Sequence, residues 1–191
     1  MFSKHKGEIG YLKKQTVRIG LLALLLLVLC AAIFMTGYIM HGSAKNIFTI
    51  IAVLGTLPVA KLLVSFILGI KAEKYSFNKD DAAFVKELFG EKDVLYGFDF
   101  YLTSYKTNFP LSSCFVFDET IIALSADKDM DMKECKDHIE KYLANNSING
   151  IKVYILDSLE KYSDRIRSVK DDYSKTDKDL AAFNLIKNLS L

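Results

Sequence analysis

Cys135, His138 and Cys114 are the side chains outside the apolar N-terminal part whose types suggest thiol or zinc chemistry. Cys135-x-x-His138 places a thiol and an imidazole on one face of a helix, which is half of a tetrahedral zinc site. Completing it takes two more ligands, and Cys114 is the one obvious candidate. The same pair has the makings of a cysteine nucleophile beside its base. However, Cys135 falls on the apolar stripe Met132, Cys135, Ile139, Tyr142 and Leu143, where a thiol is expected to be buried and inert. Asp127-Lys-Asp129-Met-Asp131 begins like a calcium loop, but Met132 stands at the position that needs glycine and His138 at the position that needs glutamate. Those aspartates suit the start of a helix, where the macrodipole favours negative charge. There is no Gly-rich phosphate loop, no G-x-S-x-G and no H-E-x-x-H. No metal, cofactor or catalytic residue is assigned from the sequence.

Lys61 raises a different kind of chemistry. It is the single charge in the apolar run Ile47 to Ile70, which follows a charge-free run from Ile19 to Met40. At 1.5 Å per residue, runs of this length reach roughly 33–36 Å as helices, enough for a hydrocarbon core of about 30 Å. Lys61 lies ten residues before Lys71. As a transmembrane residue it would sit about 15 Å inside the edge, where an ammonium costs a few kcal/mol unless paired or hydrated. Pro58 removes a helix hydrogen bond and frees a carbonyl near Leu54. With Gly55 it suggests a kinked helix whose liberated carbonyls face Lys61, and Ser65 lies one turn on along the same face. Gly55, Pro58, Lys61 and Ser65 are therefore the membrane candidates. Lys61 is either a binding or relay residue in an assembly, or a hydrogen-bonding residue within the hairpin or at a homo-oligomer contact. Ala32 and Thr36, four apart, would allow close helix packing.

The elements that must position these residues divide the chain sharply. Residues 1–70 carry seven Lys/Arg against Glu8, whereas residues 71–191 are mildly acidic, a poor match to nucleic acid. Three cysteines are too few for a disulfide framework and suit a reducing compartment. The first run is too long for a cleaved signal, lacks a small-x-small site and is followed directly by a second, so it is expected to remain as a span. The organisation is a basic tail, 1–18; a transmembrane hairpin, 19–70, with spans 19–40 and 47–70; and a soluble domain, 71–191. The basic flanks place both termini in the cytoplasm and the His41–Asn46 loop outside. The tail's lysines, among Phe2, Ile9, Tyr11 and Leu12, either set this topology or rest on anionic lipid headgroups.

Ile51-Ala-Val-Leu-Gly-Thr-Leu-Pro-Val-Ala-Lys61, with the Gly37-Tyr38 exit and the Lys45-Asn46 loop, resembles an uncharacterised two-helix membrane protein family of Gram-positive anaerobic bacteria. Asn108-Phe-Pro-Leu111 and Glu160-Lys-Tyr162 extend the likeness more faintly. The resemblance implies a bacterial plasma-membrane protein and supplies no activity.

In the soluble domain, Asp80 to Phe89 reads as a helix and Val94 to Leu102 as a strand of period two. Ser104 to Ser113 reads as a loop around Asn108 and Pro110. Cys114–Phe117 and Ile121–Ser125 form a hairpin about Asp118-Glu119-Thr120. Asp131-x-x-Glu134 opens a second helix, Ile151 to Leu156 is a strand, and Asp157-x-x-Glu160 opens a third helix. A charged linker from Asp171 to Lys178 leads to a last helix from about Asp177 to Leu189. The order α-β-β-β-α-β-α-α predicts an α+β or α/β domain with helices covering one mixed sheet.

Its α-β-β-β-α-β portion resembles the restriction-endonuclease-like fold. That family's chemistry needs an Asp at a strand edge and an Asp/Glu-x-Lys in the next strand, to hold magnesium and orient water. The corresponding strand here is Ile121-Ile-Ala-Leu-Ser125, without a carboxylate or lysine, and Asp127-Lys128 lacks the spacing. The expectation is a membrane-anchored, non-enzymatic interaction or scaffold module on the cytoplasmic face, meeting the lipid bilayer and a protein partner or a second copy of itself. Its alternatives are a membrane-tethered, degenerate nuclease-like domain, or a subunit of a larger membrane assembly that uses Lys61.

Overall fold

The structure is a computed structural model that describes residues 6–90, 92–169 and 173–191. It divides into two compact units. One is a pair of long helices, covering residues 13–73. The other joins Lys74–Leu191 to the stretch ending at Leu12.

The helical unit consists of α1 (Tyr11–His41) and α2 (Ile47–Glu73). Both outrun the apolar segments that mark them in the sequence. Gly42, at φ 60°, ends α1 in the left-handed conformation that glycine tolerates. The Asn46 side chain accepts from the Thr49 amide at 3.0 Å to open α2. Because nearly every position is apolar, residue size rather than polarity distinguishes the seam. On α1 it runs through Thr16, Ala23, Cys30 and Gly37, seven residues apart. On α2 it runs through Ala52, Gly55, Val59, Phe66 and Gly69. Each seam glycine admits a larger residue of the other helix. A Cβ on Gly20 would meet the Phe66 ring at 2.7 Å, and one on Gly55 would meet the Cys30 Sγ at 2.8 Å. A seven-residue repeat of contact positions is the spacing of helices that stay together over their length. Ala32 and Thr36 do not belong to it. They are exposed, and the Thr36 hydroxyl donates to the Ala32 carbonyl on its own helix.

The second unit holds α3 (Lys79–Phe89), β1 (Leu95–Thr103), β2 (Asn108–Phe117), β3 (Thr120–Ser125), α4 (Met132–Asn145), β4 (Lys152–Leu156), α5 (Leu159–Arg167) and α6 (Asp177–Leu189). The element order is the one read from the sequence. The sheet runs β1-β2-β3-β4, antiparallel except for the parallel β3–β4 pair that α4 connects. Both faces are covered, which explains why its central strands are almost continuously buried. On one face α4 and α6 bury Cys135, Ile139, Leu143, Ala182 and Ile186 against Leu111, Val116 and Ile121. On the other, α3 and α5 bury Val85, Phe89, Tyr162 and Ile166 against Phe98 and Phe115.

Two expectations are corrected. The loop read over Ser104–Ser113 shrinks to four residues, because β2 already begins at Asn108. Pro110 is tolerated there since it faces Tyr101, whose amide and carbonyl turn away from β2. The Tyr101 amide donates to the Ser190 hydroxyl, and its carbonyl accepts from the Leu191 amide. The proline's missing N–H therefore removes no rung between β1 and β2. The cap of α5 is Ser158 rather than Asp157, which pairs instead with Lys161 at 2.9 Å. The hairpin turn is confirmed as Asp118-Glu119, both at positive φ, between the paired Phe117 and Thr120.

Residues 6–10, part of the stretch read as a basic tail, lie along β1. The Phe98 amide donates to the Gly7 carbonyl at 2.8 Å. The Lys6 ammonium donates to the carbonyls of Ser190 (2.7 Å) and Lys187 (3.3 Å), closing the end of α6. Gly97 allows this approach, since a Cβ there would stand 3.1 Å from the Gly7 Cα. Phe2 and Lys4 lie outside the described residues, as does Asp171 at the start of the charged linker. From Tyr173 onward the linker is tied down. Ser174 bridges Asp93, Lys175 forms an ion pair with Asp93, and the Tyr173 hydroxyl donates to Asp179.

Candidate functional site

The sequence candidates on α2 do not converge. Helix α2 is unbroken through Pro58. Gly55 sits on the seam against Cys30, while Pro58 and Lys61 are exposed on the outer side. Ser65 shares a turn with Lys61, but its hydroxyl donates to the Lys61 carbonyl at 3.2 Å and does not serve the ammonium. The Thr56 hydroxyl is likewise satisfied within α2, by the Val53 carbonyl at 2.6 Å.

The thiols behave as core. Cys114 and Cys135 are both fully buried among the side chains beneath α4 and α6. Burial pushes the Cys135 thiol up to about 12, and burial with the neighbouring Cys135 raises Cys114 further still. A thiol so shifted carries almost no thiolate near neutrality, the opposite of an activated nucleophile. His138 lies beside the rings of Phe109 and Tyr142, and its Nε2 is buried without a hydrogen-bond partner. Burial lowers its pKa, Lys141 adds to the effect and Glu134 opposes it. Among the described residues, no three His, Cys, Asp or Glu side chains are grouped to hold a metal ion. Asp127 and Asp131 spend their carboxylates locally. Asp127 accepts from the Asp129 amide, and Asp131 accepts from the amides of Lys133 and Glu134 as the cap of α4. At the position where a nuclease-like strand carries its carboxylates, β3 buries Ile121, Ile122, Ala123 and Leu124.

The polar residue that sequence reading missed is Asp99. It is buried inside β1 and, among the described residues, is the one non-glycine residue within a strand at positive φ, 55°. Its neighbours stay in register with β2, Phe98 with Ser113 and Phe100 with Leu111, while across from it β2 shifts register against β3 between Leu111 and Ser113. The carboxylate accepts from the Gly10 amide (2.6 Å), the Phe77 amide (2.7 Å) and the Ser76 hydroxyl (3.1 Å). Gly10 is the last residue before α1, and Ser76 follows α2 by three residues. One side chain thus holds both chain segments that connect the sheet domain to the helical pair. The only hint in the sequence is a charge inside the strand's alternation.

A shallow polar cleft lies nearby in the sequence, lined by Lys74, Tyr75, Asp81, Ser112 and Ser125 among others. Two of its polar groups are engaged by the loop that follows β3. The negative charge of Asp127 and a hydrogen bond to it raise the Tyr75 phenol above its ordinary range, and the Ser125 hydroxyl donates to the Asp127 carbonyl.

No family model, curated protein or solved structure matches the chain. What fold and site define together is a class of architecture: two long apolar helices joined to a three-layer domain with one mixed four-stranded sheet.

Proposed function

We propose that this protein is a membrane-anchored, non-enzymatic interaction module. In this reading α1 and α2 span a bacterial plasma membrane as a hairpin, and the sheet domain and both termini lie on the cytoplasmic side. The observation that carries the reading is the outer surface of the helical pair. Leu21, Leu25, Ile39, Ile50 and Leu57 are each more than half exposed. Only 11% of the most apolar window of each helix is buried, unlike the core helix of a soluble protein. Water tolerates no contiguous apolar surface of this extent, whereas hydrocarbon covers it at no cost. Basic residues flank the hairpin at one end (Lys13, Lys14, Arg18, Lys71) against Lys45 alone in the loop, which supports the orientation. The buried, proton-holding thiols of Cys114 and Cys135 are unsuited to act as nucleophiles.

Alkaline carbonate washing and chemical cross-linking of the full chain in its native membranes test the two parts separately. Retention in the bilayer and a discrete higher-mass complex are expected. Release by carbonate contradicts the anchor, and a purely monomeric chain contradicts the interaction.

A further inference from the structure

We propose that Lys61 is the docking point for a membrane-spanning helix of another protein, one that carries an aspartate or glutamate near mid-bilayer. The inference rests on the hairpin spanning the membrane. Lys61 lies near the middle of the 27-residue α2, on the side away from the seam with α1. Helix α2 itself offers it little. The Ser65 and Thr56 hydroxyls are spent on carbonyls of their own helix, and the carbonyl that Pro58 leaves free, at Leu54, is nearly two turns distant. Escape to the surface falls short as well, because about 15 Å separate Lys61 from the level of Lys71 and a lysine side chain spans roughly 6 Å.

Charge decides what the occupant must be. The sequence holds no Asp or Glu between Glu8 and Glu73, so a second copy of this chain brings no carboxylate to this depth. Parallel copies docked on this face would set ammonium against ammonium. A carboxylate on a foreign helix neutralises the charge and accepts a charge-assisted hydrogen bond where water does not compete. The surroundings suit a helix. Leu57, one turn before, and Val64, one turn after, are exposed and apolar on the same face, giving a ridge with the charge at its centre.

The test uses a synthetic Leu/Ala transmembrane helix with one central aspartate as the probe, and a central leucine in its control. Each is mixed with the full-length protein in phosphatidylcholine vesicles, and association is read by energy transfer. The aspartate helix is expected to associate about tenfold more tightly than the control, roughly 1.4 kcal/mol. Lys61→Leu should remove the difference, Lys61→Arg should keep it, and moving the aspartate two turns from the centre should weaken it. Equal association with the native protein and with Lys61→Leu overturns the proposal. So does a requirement for anionic lipid in place of the aspartate, which identifies a headgroup as the occupant, or self-association lost in Lys61→Leu, which identifies a second copy. Labelling of Leu57→Cys, in a Cys30→Ala background, by a water-soluble maleimide separates the two levels of failure. If that position is protected while the probe does not bind, the span stands and the docking fails. If it is labelled freely, both fail.

Discussion

Asp99 accepts two backbone amides and a hydroxyl in a buried site, so truncating it leaves donors without partners at a cost of about 1–3 kcal/mol each. Asp99→Ala should lower the stability of the full chain by about 3 kcal/mol, measured by denaturant titration in mild detergent with the tyrosine signal as readout. Asp99→Asn tolerates the positive φ but offers one acceptor oxygen, and should lose about half as much. The buried thiols make a second prediction. An unfolded thiol ionises near pH 8.5, while Cys114 and Cys135 hold their protons well above that. From about pH 9 upward the folded state binds more protons than the unfolded one, so stability must fall as pH rises, by up to about 1.4 kcal/mol per pH unit for each thiol. Stability curves at pH 8, 9 and 10 check the sign, and Cys135→Ala should flatten the slope. At pH 8 a maleimide should reach neither thiol until the domain unfolds. The inertness of Cys135 was legible from its place on an apolar stripe. The role of Asp99 was not, because its partners Gly10 and Phe77 are far away in sequence and its strain is a backbone property.

At the scale of the elements, polarity and size proved legible to different degrees. The bounds of α3, α4 and α6 follow hydrophobic period, with the Asp131 cap of α4, and the sequence places them within a residue or two, whereas the caps Asn78 and Thr176 of α3 and α6 emerge only in the structure. In the sequence Pro110 looks like a breaker, which hides the first part of β2. Its tolerance depends on Tyr101 facing the last residues of the chain, a long-range fact. The seam of α1 and α2 eludes an analysis of polarity, since both sides of each helix are apolar; the signal is the heptad of small residues from Thr16 to Gly37. Gly55→Leu should force Cys30 aside and weaken the helical pair by about 1–3 kcal/mol, read by titrating the full chain with a denaturing detergent. Ala32→Leu, on the exposed outer side, should change it by less than about 0.5 kcal/mol.

At the scale of the whole molecule, the proposed function has the helical pair in lipid and the sheet domain in the cytoplasm, with Asp99 holding the segments that run between them. That function requires the His41–Asn46 loop and the sheet domain to lie on opposite sides of a bilayer, with the middle of α2 reachable from neither. The most direct measurement is labelling of intact cells by a membrane-impermeant maleimide, in a Cys30→Ala background where the two buried thiols stay silent. The loop variant Ser43→Cys should react at once, Lys128→Cys on the domain surface only after permeabilisation, and Leu57→Cys in neither case. Reaction of Ser43→Cys and Lys128→Cys from the same side, or ready reaction of Leu57→Cys, would contradict the spanning hairpin on which the proposed function rests.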